Sequence, residues 1–124
     1  MKTEDKCWGT VTHIFHSNTA AVSHLRVKAG TRCSRHYHQE RVNHFCVLSG
    51  KVVIEEWHNH PELWLPSMAT VLSAGQHHTV LANIPHRFRV LEDGEMIEIY
   101  WPSDYEAEVR LDDIVRFDEG GPDI

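Results

Sequence analysis

Cysteine is scarce in this sequence, and its three cysteines do not fall into pairs. Cys7, Cys33 and Cys46 are widely spaced, and no CxxC motif occurs. An odd number of separated cysteines fits neither a disulfide framework nor a cysteine-rich zinc site. We therefore expect the three thiols to be small buried hydrophobic groups.

Long apolar runs and clusters of positive charge are also missing. No apolar run reaches the roughly 18 residues that a membrane span needs, and the amino terminus, MKTEDKCWGT, lacks the apolar core of a signal peptide. The 18 acidic residues outnumber the 12 basic ones, so the formal net charge is −6. No Lys/Arg cluster is present to follow a phosphate backbone. These absences predict a cytoplasmic protein that binds neither membranes nor nucleic acid.

The composition and the turn signals together predict one all-β domain over residues 1–124. Hydrophobic residues make up 41% and charged residues 24% of the 124 positions, as in soluble globular proteins. Turn signals ending in glycine recur at positions 30, 50, 75 and 94, and β-branched and aromatic residues follow them. Between the turns, Ala21, Ser23, Leu25 and Val27 alternate with more polar neighbours, which is typical of a half-buried strand.

Two segments depart from this strand pattern. Residues 57–67, WHNHPELWLPS, carry two prolines and two tryptophans, and we expect an ordered loop there. The tail from Pro102 has Val109, Asp113 and Arg116 at helical spacings, which predicts a short C-terminal helix or an irregular cap. The last residues, DEGGPDI, are expected to fray.

Two histidines one residue apart stand out in residues 30–50, GTRCSRHYHQERVNHFCVLSG. On a strand, residues i and i+2 point to the same side, so His36 and His38 can direct both imidazoles at one point. This spacing suits metal chelation. An isolated pair of this kind can also simply hydrogen-bond or face solvent, so the surrounding residues decide between the two.

The surrounding residues resemble the two motifs of the cupin superfamily. The first cupin motif runs glycine, five residues, His-x-His, three or four residues, glutamate, six residues, glycine. Here Gly30, His36 and Gly50 keep that layout, and Asn43 stands where the family usually has glutamate. The run ANIPHRF (82–88) resembles the second motif, in which a proline precedes the last histidine ligand. The resemblance covers about residues 20–101, and it implies a small jelly-roll barrel of antiparallel strands.

The resemblance also implies one divalent metal ion, with His36, His38 and His86 as its ligands. Alternation along the strand turns Asn43 inward, so its amide oxygen is a candidate fourth ligand, and Glu40 or water are the alternatives. Histidine ligands suit several metals, and zinc, iron, manganese and nickel all stay open. Three neutral imidazoles leave the charge of the ion uncompensated, which favours water or an anionic substrate in the open positions.

Within the superfamily, the run RHYHQERVNHF is similar to the sugar-related, phosphomannose isomerase-like cupins. This similarity implies a sugar or sugar phosphate as the small-molecule ligand and an isomerase-like activity. Such a reaction needs a base that moves a proton, for which Glu98 and His77 are the candidates. Two alternatives stay open: a three-histidine iron-dependent dioxygenase, and a non-catalytic module that only binds a small ligand.

Other polar residues are interpreted as surface groups. His58 and His60 have i, i+2 spacing but no flanking glycines, so we expect them to be solvated. Arg87 and Arg89 flank His86 on a predicted strand and should point away from it, as charges on the outer face.

The aromatic content predicts self-association. Unpaired edges of a jelly roll invite pairing, and a domain this small cannot easily cover all of its tryptophans. We therefore expect a two-fold homodimer. The four tryptophans are Trp8, Trp57, Trp64 and Trp101.

Overall fold

All the regular secondary structure in residues 1–123, the part of the chain that the computed structural model describes, is β-strand. The strands form one strongly curled antiparallel sheet, a small jelly-roll barrel, as the sequence predicts. They are β1 (Lys2–Lys6), β2 (Gly9–His16), β3 (Ala21–Val27), β4 (Thr31–Arg32), β5 (His36–Tyr37), β6 (Arg41–Glu56), β7 (Met68–Ser73), β8 (His77–Val80), β9 (His86–Pro102), β10 (Val115–Arg116) and β11 (Gly121–Pro122).

The two long strands, β6 and β9, lie side by side along their whole length, and the last pair in their register is Glu56 opposite His86. Both strands bend near Gly50 and Gly94, where the register is irregular. Gly50 has a φ of 81°, and a Cβ added at Gly94 would collide with the backbone oxygen of Ser49, so both positions require glycine. Because of the bend, β9 pairs with β3 at one end and with β4 and β5 at the other.

The barrel interior is filled by the inward faces of the long strands. Leu25 on β3 and Met96 on β9 are fully buried, and Phe45 on β6 is 2% exposed. The inward alternation predicted for β3 is confirmed, since Leu25 and Val27 are buried while Arg26 between them is exposed. At one end of this core the Phe45 ring lies 6.3 Å from that of His86. The hydrophobic core therefore adjoins the histidine side chains.

The segment 57–67 is an ordered loop, as expected. Trp57 at its start is 1% exposed, and its indole Nε1 donates a hydrogen bond to Leu63 O (3.0 Å). Trp64 near its middle is 86% exposed. Within residues 1–123, none of the secondary structure is a helix long and apolar enough to cross a membrane.

The C-terminal tail is the irregular cap and not the helix of the two predicted alternatives. Its backbone groups bond to distant segments instead of to residues four positions away: Val109 N donates to Asn18 O, and Phe117 N donates to Arg35 O. Strand β10 pairs with β5, which places Arg116 opposite His36. These long-range partners satisfy the backbone polar groups that a helix would satisfy locally.

The prediction that the last residues fray is wrong for residues 118–123. Strand β11 pairs with β4, with Gly121 opposite Arg32. The carboxylate of Asp123 accepts a hydrogen bond from Arg89 Nη1 (2.8 Å). Ion pairing and strand pairing hold this end of the chain, and neither can be inferred from its glycine-rich composition. Residue 124, the last of the predicted fraying segment, lies outside the described residues.

Candidate metal centre

The three predicted histidine ligands come together at one end of the barrel. His36 lies directly opposite His86 in the pairing of β5 with β9, and their ring centroids are 4.6 Å apart. The His38 ring lies 4.9 Å from that of His36 and 5.3 Å from that of His86. One nitrogen from each ring lies within 4.8 Å of those of the other two. In residues 1–123 this is the one group of three metal-ligating side chains gathered so closely.

Backbone carbonyls set the tautomer of all three rings. The acceptors for the Nδ1 atoms are Ser34 O for His36 (2.7 Å), Asp113 O for His38 (2.6 Å) and Ile84 O for His86 (2.8 Å). A neutral imidazole has one N–H, so donation from Nδ1 leaves Nε2 with a free lone pair. Histidines that bind metals almost always have such a partner on the other ring nitrogen.

Burial keeps the three imidazoles neutral. It lowers the pKa of His36 to about 3 and that of His86 to about 4. The pKa of His38 is also lowered, first by burial and then by the positive charge of Arg41. At neutral pH the three side chains therefore offer uncharged nitrogen ligands, the form that coordinates a metal.

Two potential metal-ligating atoms at this site are buried and lack a hydrogen-bond partner among residues 1–123. They are His86 Nε2 and Asn43 Oδ1. An unsatisfied buried polar atom lowers the free energy of unfolding by about 1–3 kcal/mol. A metal ion would be a partner for both atoms, because a ring nitrogen and an amide oxygen can each coordinate it. The donor set of three imidazoles with an adjacent amide thus fits a divalent transition metal ion.

Asn43 connects the histidines to a buried carboxylate. Its Nδ2 lies 3.0 Å from His38 Nε2 and 3.3 Å from Glu98 Oε2. Because His38 Nε2 carries the lone pair, Asn43 Nδ2 is the donor to it. The hydroxyl of Tyr100 donates a second hydrogen bond to Glu98 Oε2 (2.6 Å). Burial raises the pKa of Glu98, and the hydrogen bond from Tyr100 and the charge of Arg41 oppose that rise.

The histidines and Glu98 line a cavity of about 750 Å³, a volume in the range of small-molecule sites. Arg41 also lines it, although its side chain is only 5% exposed. The Arg41 guanidinium carbon lies 4.1 Å from the centroid of the Tyr100 ring, and Nη1 donates to Arg110 O (2.7 Å). The cavity thus holds neutral nitrogen ligands, a carboxyl group and a cation.

The comparison with protein families agrees with this geometry. A family model described as mannose-6-phosphate isomerase C-terminal matches residues 2–119, nearly the whole chain. The chain belongs to this family. It is a cupin, and the resemblance drawn from the two histidine motifs is confirmed. A search of curated proteins finds no significant match.

Solved structures similar to this cupin show the same fold at low sequence identity. Oxalate decarboxylase from Bacillus subtilis has a TM-score of 0.75 and 14% identity over 94% of this chain and 30% of its own. KdgF from Halomonas sp. has a TM-score of 0.69 and 16% identity over 86% of this chain and 90% of its own. Oxalate decarboxylase from Lactobacillus farciminis, in complex with formate, has a TM-score of 0.69 and 18% identity over 84% of this chain and 31% of its own.

The cupin therefore spans about a third of the length of the two oxalate decarboxylases. One solved structure of the Bacillus subtilis enzyme comes from a study of the Mn(II) centres of that enzyme. These similarities establish the fold.

His77, one of the two candidate bases, does not line the cavity. In the pairing of β6 with β8, Cys46 is opposite His77 and Phe45 is opposite His78. Phe45 faces the core, so the alternation puts His77 on the outer face, where it is exposed and its ring lies 5.0 Å from that of His44. Of the two candidate bases, only Glu98 lines the cavity.

The other predicted surface groups lie outside the cavity. Glu40, the alternative ligand, is exposed in the turn after His38. His58 and His60 are exposed, as expected. Arg87 and Arg89 also face outward as predicted; their Nε atoms lie 2.7 and 3.1 Å from one carboxylate oxygen, Oε1 of Glu55.

Sequence reasoning missed Arg41 and the hydrogen bond from Tyr100. A signal for Arg41 was present, because Arg41 and Asn43 are two residues apart on β6 and the alternation that turns one inward turns both. Tyr100 shares a strand face with Glu98 in the same way. That its hydroxyl reaches the carboxylate depends on side-chain conformation, which the alternation does not reveal.

Proposed function

We propose that this cupin binds one divalent metal ion through His36, His38 and His86 and acts on a sugar or sugar phosphate in an isomerase-like reaction. The observation that carries the proposal is that one ring nitrogen from each of the three histidines lies within 4.8 Å of the other two, while each Nδ1 donates a hydrogen bond to a backbone carbonyl. The family match, to the C-terminal region of a sugar phosphate isomerase, supports the substrate class.

The metal, when bound, would supply Lewis acidity that polarises a substrate carbonyl. Asn43 is the candidate fourth ligand, and its buried Oδ1 has no other partner in residues 1–123. A rotation of the Asn43 amide group about χ2 would place Oδ1, instead of Nδ2, on the side that faces His38. If the amide does not rotate, water takes that position.

Glu98 is the residue we propose as proton carrier. An aldose–ketose interconversion removes a proton from the carbon beside the carbonyl and returns one to the neighbouring carbon. Glu98 lines the cavity, and burial raises its pKa towards the range in which a carboxyl group can both accept and release a proton. We assign no role to His77.

Metal analysis and a proton-exchange assay test the proposal together. Protein purified without chelator should contain one equivalent of zinc, manganese, nickel or iron. In D₂O, incubation with a panel of aldose and ketose phosphates should replace the proton beside the carbonyl by deuterium, observed by proton NMR. The proposal fails if the protein neither retains nor takes up a metal ion on titration.

The same assays address the two rival functions. A ligand set of three neutral imidazoles without a carboxylate also suits iron, which keeps a dioxygenase as the second candidate. Bound iron with oxygen consumption would favour that activity. Bound metal and sugar phosphate without turnover or proton exchange would favour the ligand-binding module.

We also propose that the protein is cytoplasmic, as the sequence predicts.

A further inference from the structure

Arg41 is a buried cation that forms no ion pair with a carboxylate of residues 1–123. Its side chain is 5% exposed, and the arginine ion pairs found in residues 1–123 do not include it. One nitrogen, Nη1, donates to Arg110 O, while Nε is buried without a hydrogen-bond partner in the same residues. An isolated buried charge is costly unless it is paired.

The fold holds Arg41 at this position from two sides. The guanidinium stacks on the Tyr100 ring, with 4.1 Å between the guanidinium carbon and the ring centroid. The carbonyl of Arg110 in the tail binds Nη1 at 2.7 Å. A stacked and hydrogen-bonded guanidinium has few rotamers to lose when it binds a further partner.

The buried carboxyl group that lines the cavity, Glu98, is hydrogen-bonded to other side chains and forms no ion pair with Arg41 among the contacts of residues 1–123. Glu98 Oε2 accepts hydrogen bonds from Tyr100 and from Asn43. At the mouth of the cavity, Lys2 and Lys6 form ion pairs with Glu4 at 3.2 and 3.5 Å. Among residues 1–123, Arg41 is therefore the one buried cation that lines the cavity, and it forms no ion pair; Arg116, which forms none either, is exposed to solvent.

We infer that Arg41 is an anion-binding residue, and that the cavity takes a small molecule whose carboxylate or phosphate group binds the Arg41 guanidinium beside the three histidines. The inference rests on the proposed function in that it places this group in the same cavity. The planar guanidinium matches the oxygen geometry of both carboxylate and phosphate. A bound anion would give Arg41 the counterion that residues 1–123 do not supply.

Calorimetric titration of the full chain with inorganic phosphate and with acetate tests the inference. Arg41→Gln should weaken binding of the preferred anion at least about tenfold, as expected for loss of a charged hydrogen bond. The matched control is Arg26→Gln, which removes the same charge from an exposed side chain that does not line the cavity. This control should change the affinity less than about threefold. Equal losses in both variants, or no binding of either anion to the unmodified protein, would overturn the inference.

A second measurement needs no variant that might unfold. In the unmodified, nitrogen-15-labelled protein, phosphate or acetate should shift the Arg41 Nε–H resonance in saturable fashion. An unmoved resonance at saturating anion would count against Arg41. The anion that binds more tightly indicates whether the substrate carries a carboxylate or a phosphate group. Binding of either anion supports the inference.

Both titrations are run before and after metal removal by chelator. Anion binding that depends on Arg41, in a protein that neither retains metal nor takes it up on titration, would support the inference while contradicting the proposed metal function. Metal binding with no Arg41-dependent anion binding would refute the inference and leave the metal centre standing.

Discussion

Asn43 Nδ2 lies 3.3 Å from Glu98 Oε2, so the carboxyl group of this site stands beside the position that holds glutamate in the usual cupin motif. The two residues are 55 positions apart in the chain and meet because β6 pairs with β9. The site therefore keeps a carboxyl group, that of Glu98, although the first histidine motif has asparagine at its glutamate position. Hydrogen bonds from Tyr100 and Asn43 hold this carboxyl group in place.

Restoring the glutamate tests this arrangement. Asn43→Glu should retain metal better during dialysis against chelator, because a carboxylate binds a cation more strongly than an amide does. It should also bind phosphate and acetate more weakly, because the new carboxylate takes a coordination position and cancels one unit of charge. Metal stoichiometry and anion calorimetry measure the two effects, with the exposed Asn59→Glu as control. Unchanged values for Asn43→Glu would place residue 43 outside the coordination sphere.

Removing a histidine from the cluster should abolish metal retention. His86→Ala deletes one of three ligands, and because loss of a mere supporting partner costs about 10–100-fold in metal affinity, loss of a ligand should cost more than about 100-fold. His77→Ala removes an exposed histidine on the outer face and should leave the affinity unchanged. Metal content after dialysis distinguishes the two variants. Equal metal retention by both would show that the three converging rings do not bind the ion.

Glu98→Gln should lower proton exchange without lowering metal content. The amide keeps the shape of the carboxyl group but cannot carry the proton, and general acid–base catalysis contributes about 100–10,000-fold to a rate. The measurement is deuterium incorporation into the sugar phosphate, with metal content determined on the same sample. Full exchange activity in this variant would remove Glu98 from the mechanism.

The stability of the metal-free protein should fall as the pH is lowered below 6.5. The pKa values of His36 and His86 are lowered by burial to about 3 and about 4, while the unfolded chain titrates near 6.5. Between these values the unfolded chain binds more protons, so each such histidine costs up to about 1.4 kcal/mol per pH unit. The raised pKa of Glu98 acts in the opposite direction, since its contribution is lost as the pH rises.

Urea unfolding at several pH values between 7.5 and 4.5 measures this dependence. Three buried histidines outweigh one carboxyl group, so the free energy of unfolding should decrease toward acid pH. His86→Gln removes one buried imidazole and should make the dependence shallower. A dependence as steep as that of the unmodified protein would mean that His86 does not stay neutral in the folded state.

The homodimer remains a prediction, and two of the four tryptophans on which it rests are exposed in the structure. Trp8 and Trp57 are buried, whereas Trp64 is 86% and Trp101 37% exposed. Within residues 1–123, strand β1 pairs only with β2, which leaves its other edge open to a second copy. Light scattering should return twice the chain mass of 14.3 kDa. A single-chain mass at working concentrations would disprove the dimer.

The fold class and the histidine pair could be predicted from the sequence because they depend on local periodicity. Alternation with period two fixes which side of a strand a residue occupies, and it correctly turned His36 and His38 to one side. His86 required the resemblance to the cupin motifs, since no local pattern links it to His36 50 positions earlier. The sequence could not choose between the two alternatives for the tail, a helix or an irregular cap, because spacing in the tail carries no information about distant hydrogen-bond partners.

The tertiary structure alone decided the chemistry around the histidines. His38 Nδ1 donates to Asp113 O across 75 positions, and Asn43 reaches Glu98 across 55. The absence of a counterion for Arg41 within residues 1–123 is likewise a property of the folded chain. Periodicity specifies a face of one strand, but hydrogen-bond partners and burial depend on which strands the barrel brings together, and the energy of those contacts is not encoded in any single segment.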